Sequence, residues 1–268
     1  MLHPKASIIQ MTSCPDLEKN LQMAGALIKQ AKQADATLVV LPEMFPIMGS
    51  DPRETVSIGE TYGDGVIQNF LKDQAAHHKL WIVGGTIPIK TNDAHRVRAA
   101  CLIYDDTGKV VGRYDKMHLF DVCITKGIEE YQESSTIEPG ENILVVDTPL
   151  GRLAPCVCYD LRFPLLFQEF IRQQVEIIAV PSAFTVKTGM AHWEILARAR
   201  SIDTLSYGLF ACQVGAHSAT RMTHGHSMIT NPWGEVMTSL KKEIGVITAE
   251  IDLQFLKEVR KNLPILAQ

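Results

Sequence analysis

Apolar residues fall along this chain in two recurring patterns, short continuous runs and longer stretches with helical spacing. The continuous runs predict buried strands at 6–11, 37–43, 80–89, 175–184 and 207–215. The helical spacing predicts helices at 16–33, 65–79, 165–174 and 192–206, and Asp16 stands where it can cap the first of them. Two further segments, 98–116 and 225–240, carry turn residues between apolar runs and predict hairpins.

The two halves of the chain repeat an order of helix, strand ending in proline, helix, strand and hairpin. This alternation predicts an α/β fold with pseudo-two-fold internal symmetry, in which helices cover the sheets. No long linker interrupts it, so residues 1–268 are predicted to form a single domain. The polar segment 117–142 has no clear period and is predicted to be a long loop, a feature that is often functional in a compact domain.

Composition narrows the possible partners and the compartment. The 268 residues are 46% hydrophobic and carry a net charge of −4 without a basic stripe, which predicts no nucleic-acid partner. No run of about 18 apolar residues is present, so no membrane contact through a spanning helix is expected. The start, "MLHPKASIIQMTS", lacks the pattern of a signal peptide. The six cysteines follow no regular framework, which is typical of reduced thiols in a cytoplasmic protein.

Two of the cysteines stand two residues apart in "CVCYDLRFP", just where a predicted strand ends. This pair is open to three interpretations: a disulfide fragment, half of a metal site, or a nucleophile with an inert neighbour. Cysteines so spaced on one strand are poorly placed to bridge each other. A zinc site built from Cys156, Cys158, His224 and His226 is a weaker hypothesis than a nucleophile, because structural zinc sites usually space their ligand pairs more widely. No metal is therefore expected.

The nucleophile hypothesis requires a base and a group that stabilises an oxyanion. Cys158 is the better candidate, since it lies at the strand end before a helix, where oriented N–H groups favour the thiolate. Cys156 lies further inside the strand and fits a small buried hydrophobe. Glu43 follows the strand run "VVLP" and is a candidate base, and Lys116 ends a hairpin strand and is a candidate oxyanion partner. For any one of them alone, a surface charge is the simpler interpretation.

Three segments together carry a resemblance that spacing alone does not provide. "LPEMF" at 41–45, "YDKMHLFDV" at 114–122 and "CYDLRFP" at 158–164 resemble the signature segments of the nitrilase superfamily of carbon–nitrogen hydrolases, in particular its Nit branch. The stretches 181–200 and 225–236 resemble further segments of that branch. The resemblance implies a four-layer αββα sandwich and a cofactor-free amidase with a Glu43, Lys116 and Cys158 triad.

The resemblance also implies a role for each of these residues. Cys158 attacks an amide carbonyl, ammonia leaves, and water releases the acid from the thioester. Glu43 serves as general base and returns a proton to the leaving amine. Lys116 and the backbone N–H of Tyr159 stabilise the oxyanion, and Glu133 helps to position the substrate or the attacking water.

Substrate binding is predicted from residues beside the triad. Arg162 is the candidate to bind a substrate carboxylate, and the alternative is that it pairs with Asp160 or another local acid and only braces the turn. The resemblance implies that Phe184 and Thr185 line the pocket. It favours a small linear amide that bears a carboxylate, first deaminated glutathione and second alpha-ketoglutaramate. A further alternative is an inactive nitrilase-like binding protein.

Two departures from the family pattern bear on that alternative. Pro155 stands in the predicted nucleophile strand, where it removes a hydrogen-bond donor from the ladder. The segment 121–133 differs from the shorter loop that is common in the branch. The resemblance further implies a homodimer or a higher homo-oligomer.

Overall fold

The computed structural model describes residues 3–125 and 129–265. Its helices are α1 (Leu17–Gln33), α2 (Arg53–Ser57), α3 (Val66–His78), α4 (Pro164–Arg172), the single turn α5 (Val186–Thr188), α6 (Glu194–Thr204) and α7 (Leu253–Asn262). Its strands are β1 (Lys5–Gln10), β2 (Ala36–Val40), β3 (Trp81–Val83), β4 (Ile87–Lys90), β5 (Val97–Tyr104), β6 (Val110–Asp115), β7 (Asp121–Thr125), β8 (Glu129–Gln132), β9 (Val146–Thr148), β10 (Gly151–Pro155), β11 (Ile177–Ser182), β12 (Tyr207–Cys212), β13 (Val214–Ala216), β14 (Met222–His224), β15 (Met228–Thr230), β16 (Val236–Ser239) and β17 (Gly245–Glu250).

Two mixed sheets form the centre of the molecule. The first has the order β17-β1-β2-β3-β5-β4, with β6 paired to β5, and the second has the order β16-β15-β12-β11-β10-β9. Each contains three neighbouring parallel strands, β1-β2-β3 in the first and β10-β11-β12 in the second. The carboxyl ends of parallel strands lie at one edge of a sheet, so each half of the chain delivers the residues that follow its strands to a common edge.

Two apolar clusters define the layers. One joins the facing sides of the two sheets and continues to α4 and α6, with Ile8 and Val40 from the first sheet and Leu153 and Leu209 from the second. The other packs α1 and α3 against the outer side of the first sheet. The predicted four-layer αββα sandwich is therefore confirmed. In the described ranges no helix is both long and apolar enough to cross a bilayer.

The predicted helices and hairpins are present with end shifts of a few residues, and Asp16 caps α1 by accepting from the N–H of Lys19. The predicted strand 80–89 is wrong as a single element, because it breaks into β3 and β4 at two glycines. Gly85 has a φ of +58°, and a Cβ there would lie 2.2 Å from the carbonyl oxygen of Pro42. The run 207–215 is likewise divided between β12 and β13.

The segment 117–142 is not the irregular loop that its composition predicts. Residues Asp121–Thr125 and Glu129–Gln132 pair as an antiparallel hairpin, with a shift of register between Cys123 and Thr125. A 3-10 turn over Glu133–Ser135 follows it. The hairpin escaped prediction because glutamates interrupt the alternation of apolar residues that identifies a strand.

Pro155 occupies a harmless position at the end of β10. Its outer neighbour β9 pairs only with Gly151–Leu153, so no ladder bond is lost on that side. On the inner side the bond to β11 comes from the next residue, as the N–H of Cys156 donates to the carbonyl of Ala179 at 3.0 Å. The missing donor therefore leaves the strand intact.

Candidate active site

Three buried side chains from three strand ends meet at the edge between the sheets. Glu43 follows β2, Lys116 follows β6 and Cys158 follows β10, and their exposed fractions are 4%, 1% and 8%. We call these three residues the cavity floor. Their backbones are fixed from both sides of the molecule: Gln213 donates through Nε2 to the carbonyl of Glu43 at 3.0 Å, and the N–H of Lys116 donates to the carbonyl of Ala99 at 3.0 Å.

Lys116 is held between two carboxylates. Its Nζ donates to Oε1 of Glu43 at 2.8 Å and to both carboxylate oxygens of Glu133 at 2.8 Å. Burial disfavours the ammonium, but the charges of Glu133 and Glu43 outweigh it and raise the pKa of Lys116 well above its usual range. The cation is therefore permanent at neutral pH.

Glu133 enters the site from the 3-10 turn after the hairpin β7–β8. Besides its bonds to Lys116, its Oε2 accepts from the backbone N–H of Phe120 at 2.6 Å. Burial raises the pKa of Glu133, opposed by Lys116 and assisted by Glu43. The structure thus brings this predicted site residue together with the floor.

Cys158 sits in a strained turn directly after β10. Its φ is +47°, in the left-handed region that an L-residue adopts only when its surroundings enforce it. The helix that follows is first a 3-10 turn over Cys158–Arg162, before α4 begins at Pro164. A non-glycine residue in this geometry at a strand end presents its side chain to the cavity, as nucleophile turns of other hydrolases do.

The expectation that the strand end favours the thiolate is wrong. Burial and then the nearby carboxylate of Glu43 raise the pKa of the Cys158 thiol well above its usual range, whereas Lys116 and the N–H of Ala183 oppose them. The resting group is a neutral thiol beside a carboxylate. Attack by this sulfur therefore requires transfer of its proton to a base.

Cys156 differs from Cys158 in its position. It is fully buried in the apolar cluster between the sheets and is absent from the cavity lining, which includes Cys158. Burial raises the pKa of both thiols well above the usual range. The zinc hypothesis has no support either: among residues 3–125 and 129–265, no three His, Cys, Asp or Glu side chains converge as a metal ion would require.

Asp160 links the turn of Cys158 to the strand that delivers Lys116. Its fully buried carboxylate accepts from the hydroxyl of Tyr114 at 2.6 Å, from the backbone N–H of Val157 at 2.8 Å and from the N–H of His118 at 3.0 Å. The His118 ring nitrogen Nδ1 lies 2.6 Å from the same carboxylate. These bonds use Asp160 fully, and Arg162 forms no ion pair with it or with another acid among the described residues; its hydrogen-bond neighbour is His192. The alternative interpretation of Arg162 is therefore wrong.

Above the floor lies a cavity of about 450 Å³. The predicted substrate-binding residues Tyr159, Arg162, Phe184 and Thr185 all line it, together with Glu133. Phe184 is buried, with its ring 4.8 Å from that of Trp193, and the hydroxyl of Thr185 accepts from the N–H of Thr188 at the start of α5.

Tyr131 and Arg221 are among the lining residues that escaped prediction. Tyr131 comes from the hairpin β7–β8, and Arg221 comes from the connection between β13 and β14. Both lie far along the chain from Cys158 and in segments without a hydrophobic period, so only the tertiary structure reveals them. We call Tyr131, Arg162 and Arg221 the cavity wall.

The fold and this site agree with what comparison with known proteins shows. Residues 5–261 match the family model "Carbon-nitrogen hydrolase". The chain therefore belongs to the carbon–nitrogen hydrolase family, within the nitrilase superfamily, and is a hydrolase of carbon–nitrogen bonds other than peptide bonds.

Individual relatives narrow the comparison to the Nit branch. The chain is 38% identical to a deaminated glutathione amidase of Yersinia enterocolitica, over 99% of this chain and 93% of that protein. It is 36% identical to the omega-amidase NIT2-A of Xenopus laevis, over 98% of this chain and 94% of that protein. The crystal structure of the C. elegans NitFhit protein superimposes with a TM-score of 0.93 at 35% identity, over all of this chain, which spans 65% of the NitFhit chain.

Proposed function

We propose that this single domain is a cofactor-independent amidase in which Cys158 attacks a small amide that bears a carboxylate. The observation that carries the proposal is the cavity floor, where a neutral thiol lies beside the carboxylate of Glu43 and a permanently charged Lys116. A buried ion pair of this kind is costly for stability, which favours a chemical role over a structural one.

The acylation step begins with proton transfer from the thiol of Cys158 to Glu43. The sulfur then bonds to the amide carbon, and the carbonyl oxygen becomes an oxyanion. Lys116, which is 1% exposed, and the backbone N–H of Tyr159 stabilise this charge. As the tetrahedral species collapses, the carbon–nitrogen bond breaks and Glu43 gives the proton to the leaving nitrogen.

The deacylation step reverses these roles. Glu43 takes a proton from water, the water oxygen attacks the thioester carbon, and the carbon–sulfur bond breaks. The sulfur of Cys158 recovers the proton and the free acid leaves. The sum is one amide and one water converted to one acid and one amine.

The contacts of Glu133 favour a role through Lys116 over a direct role on substrate or water. Both of its oxygens are engaged by Nζ of Lys116, and one also by the backbone N–H of Phe120. We assign it to hold the ammonium where the oxyanion forms.

The proposed substrate is deaminated glutathione, and alpha-ketoglutaramate is the second candidate. The first candidate is supported by relatives named deaminated glutathione amidase, and the second by a relative named omega-amidase. The expected release of ammonia applies only to a primary amide such as alpha-ketoglutaramate. Cleavage of deaminated glutathione at its γ-amide frees the amine of cysteinylglycine, so the two substrates require different assays.

The test is a panel of amides with the wild type beside Cys158→Ala and Cys156→Ala. Cysteinylglycine is measured for deaminated glutathione and ammonia for alpha-ketoglutaramate, glutamine and a simple nitrile. We expect turnover of deaminated glutathione by the wild type and by Cys156→Ala, and its loss in Cys158→Ala. Turnover of alpha-ketoglutaramate alone would favour the omega-amidase activity, and no turnover at all would favour the inactive binding protein.

We further propose that the protein is cytoplasmic and self-associates. All six cysteines are free thiols, which suits a reducing compartment. On the outer side of α4 and α6, Leu165 is 76% exposed and Ile195 is 71% exposed, as apolar residues at subunit contacts often are in the isolated chain. Light scattering on the purified protein distinguishes monomer from dimer.

A further inference from the structure

Most arginines of this chain have a carboxylate partner among the described residues, and a few do not. Eight of the eleven place a guanidinium nitrogen within 4.0 Å of a carboxylate. A ninth, Arg260, donates to backbone carbonyls, among them that of Leu205 at 3.1 Å. The remaining two, Arg162 and Arg221, have no carboxylate within that distance among the described residues, and both line the same cavity. Since guanidinium groups bind carboxylates in bidentate geometry, two such groups at one cavity indicate a ligand with two anionic ends.

Arg162 lies on the side of the nucleophile turn. It belongs to the same 3-10 turn as Cys158, and its guanidinium lies 5.7 Å from the ring centre of Tyr159 and 5.2 Å from that of Phe184. Its hydrogen-bond neighbour is a ring nitrogen of His192, at 3.2 Å. These contacts orient the guanidinium and leave its charge uncompensated.

Arg221 lies on the side of the proposed base. Its Nη2 is 3.2 Å from the sulfur of Met44, the residue after Glu43. Its backbone is fixed, because the N–H of His217 donates to its carbonyl at 2.9 Å and its own N–H donates to the hydroxyl of Ser218 at 3.2 Å. The buried ring of His217 in turn lies 2.7 Å from the carbonyl of Ser13, which ties this connection to the first sheet.

The two sides correspond to the two parts of an amide. Resting on the function proposed above, Glu43 returns a proton to the leaving nitrogen, so the amine part of the substrate lies on its side of the cavity. We propose that Arg221 binds a carboxylate at the far end of the leaving amine, while Arg162 binds the carboxylate of the acyl part. The site then selects amides whose amine is peptide-like and ends in a carboxylate over primary amides.

The surroundings of Arg221 make its charge necessary for such a substrate. Glu129 from the hairpin β7–β8 lines the same cavity, and its charge repels an incoming carboxylate. A guanidinium on this wall offsets that repulsion and supplies the hydrogen bonds. A primary amide places nothing there and does not depend on Arg221.

The test compares three substrates on the wild type and on Arg221→Gln: deaminated glutathione, the same compound with its terminal glycine carboxylate converted to an amide, and alpha-ketoglutaramate. Loss of a charge-assisted pair predicts a fall of about 10- to 100-fold in kcat/KM for deaminated glutathione, mostly through KM. Turnover of alpha-ketoglutaramate stays within about two-fold. Converting the terminal carboxylate of deaminated glutathione to an amide lowers kcat/KM of the wild type by the same factor of about 10- to 100-fold and does not lower kcat/KM of Arg221→Gln further. This result is expected if Arg221 and that carboxylate interact directly.

Three variants serve as comparisons. Arg221→Lys keeps the charge and recovers part of the loss, Arg162→Gln lowers kcat/KM for deaminated glutathione and alpha-ketoglutaramate alike, and Arg172→Gln, on the exposed side of α4, changes neither. A melting temperature for each shows that the fold is retained.

The inference about Arg221 is overturned, and the proposed function is not, if Arg221→Gln loses kcat/KM equally for deaminated glutathione and alpha-ketoglutaramate. The same holds if capping the terminal carboxylate lowers kcat/KM equally in the wild type and in Arg221→Gln. No turnover of any panel member by the wild type overturns the proposed function with it, and turnover of alpha-ketoglutaramate but not deaminated glutathione overturns the inference while the amidase remains.

Discussion

The cavity floor and the cavity wall differ in how their charges are neutralised. On the floor, Lys116 is fully enclosed and saturated by the carboxylates of Glu43 and Glu133. On the wall, Arg162 and Arg221 are half-buried and lack a carboxylate partner within the described residues. A saturated buried pair keeps a fixed geometry whatever binds, whereas an unsaturated surface cation gains most of its stabilisation from the ligand.

This difference suggests separate roles, with the floor acting in the reaction and the wall in the choice of substrate. Changes on the floor are expected to reduce kcat for every substrate, since each floor residue is proposed to act on the reacting atoms. Changes on the wall are expected to alter KM for some substrates and spare others. The variants below test whether the two regions act independently.

Replacement of the nucleophile gives the largest expected effect. Cys158→Ala removes the atom that forms the thioester, so kcat falls by at least about 10,000-fold for every substrate that the wild type accepts. Cys156→Ala, two residues away, keeps kcat within about two-fold and lowers stability by about 1 kcal/mol, because it leaves a small void in the core. Steady-state rates and denaturant unfolding measure the pair. Equal loss of activity in both would show that the second thiol also takes part in the reaction.

Glu43→Gln has the second largest expected effect. It tests separately the role of Glu43 as a base and its influence on the pKa of the Cys158 thiol. Without a base the neutral thiol cannot lose its proton during attack, so kcat falls by about 100- to 10,000-fold. The pKa of Cys158 nevertheless decreases, because the carboxylate of Glu43 is one cause of its raised value. The pH dependence of alkylation by iodoacetamide reports that shift. A variant with low kcat and an unchanged or higher thiol pKa would contradict the assignment of Glu43.

The floor was accessible from the sequence, whereas of the three wall residues only Arg162 was. Glu43, Lys116 and Cys158 each follow a recognisable strand, and strand ends on one edge of an α/β sandwich must meet. Arg221 lies in the short connection between β13 and β14, whose position depends on the buried ring of His217 and its bonds. No period or spacing in the chain encodes such a contact.

The protonation state of the nucleophile also lay beyond the sequence. A turn from a strand into a helix favours a thiolate only if the cysteine lies at the N-terminus of an α-helix. In this protein a 3-10 turn over Cys158–Arg162 follows the strand instead. Burial and the approach of Glu43 then reverse the sign of the effect on the pKa. Asp160 illustrates the same limit, since its ties to Tyr114 and His118 span more than forty residues of sequence.

Lys116→Met tests the floor as an electrostatic unit. Loss of the oxyanion partner lowers kcat by about 100- to 1,000-fold. The variant also leaves Glu43 and Glu133 buried together without a cation, which destabilises the fold by about 3–5 kcal/mol near neutral pH. Burial already raises the pKa of Glu133 above its ordinary value, and removal of Lys116, which opposes this, raises it further.

That shift fixes the sign of the pH dependence. A carboxyl whose pKa is higher in the folded than in the unfolded chain binds its proton more tightly when folded, so stability falls as pH rises through the two values. The difference in melting temperature between wild type and Lys116→Met should therefore narrow as pH is lowered from about 8 to about 5. A matched control is Lys116→Met with Glu133→Gln, in which one buried charge is gone and the pH dependence is weaker. A gap that is constant with pH would show that the folded variant binds no additional proton, and so that loss of Lys116 does not raise the pKa of Glu133.

The smallest expected effect tests whether the wall is independent of the floor. The ring of Tyr131 lies 5.2 Å from that of Phe120, whose backbone N–H donates to Glu133. Loss of one aromatic contact in Tyr131→Ala predicts a rise in KM of about 2- to 10-fold, with kcat within about two-fold. Tyr131→Phe keeps the ring and gives nearly wild-type values, since among the described residues the hydroxyl forms a hydrogen bond only with Glu129, at 3.4 Å. If Tyr131→Ala instead lowers kcat at constant KM, then Phe120 transmits the position of the hairpin to Glu133 and Lys116, and floor and wall form one mechanical unit.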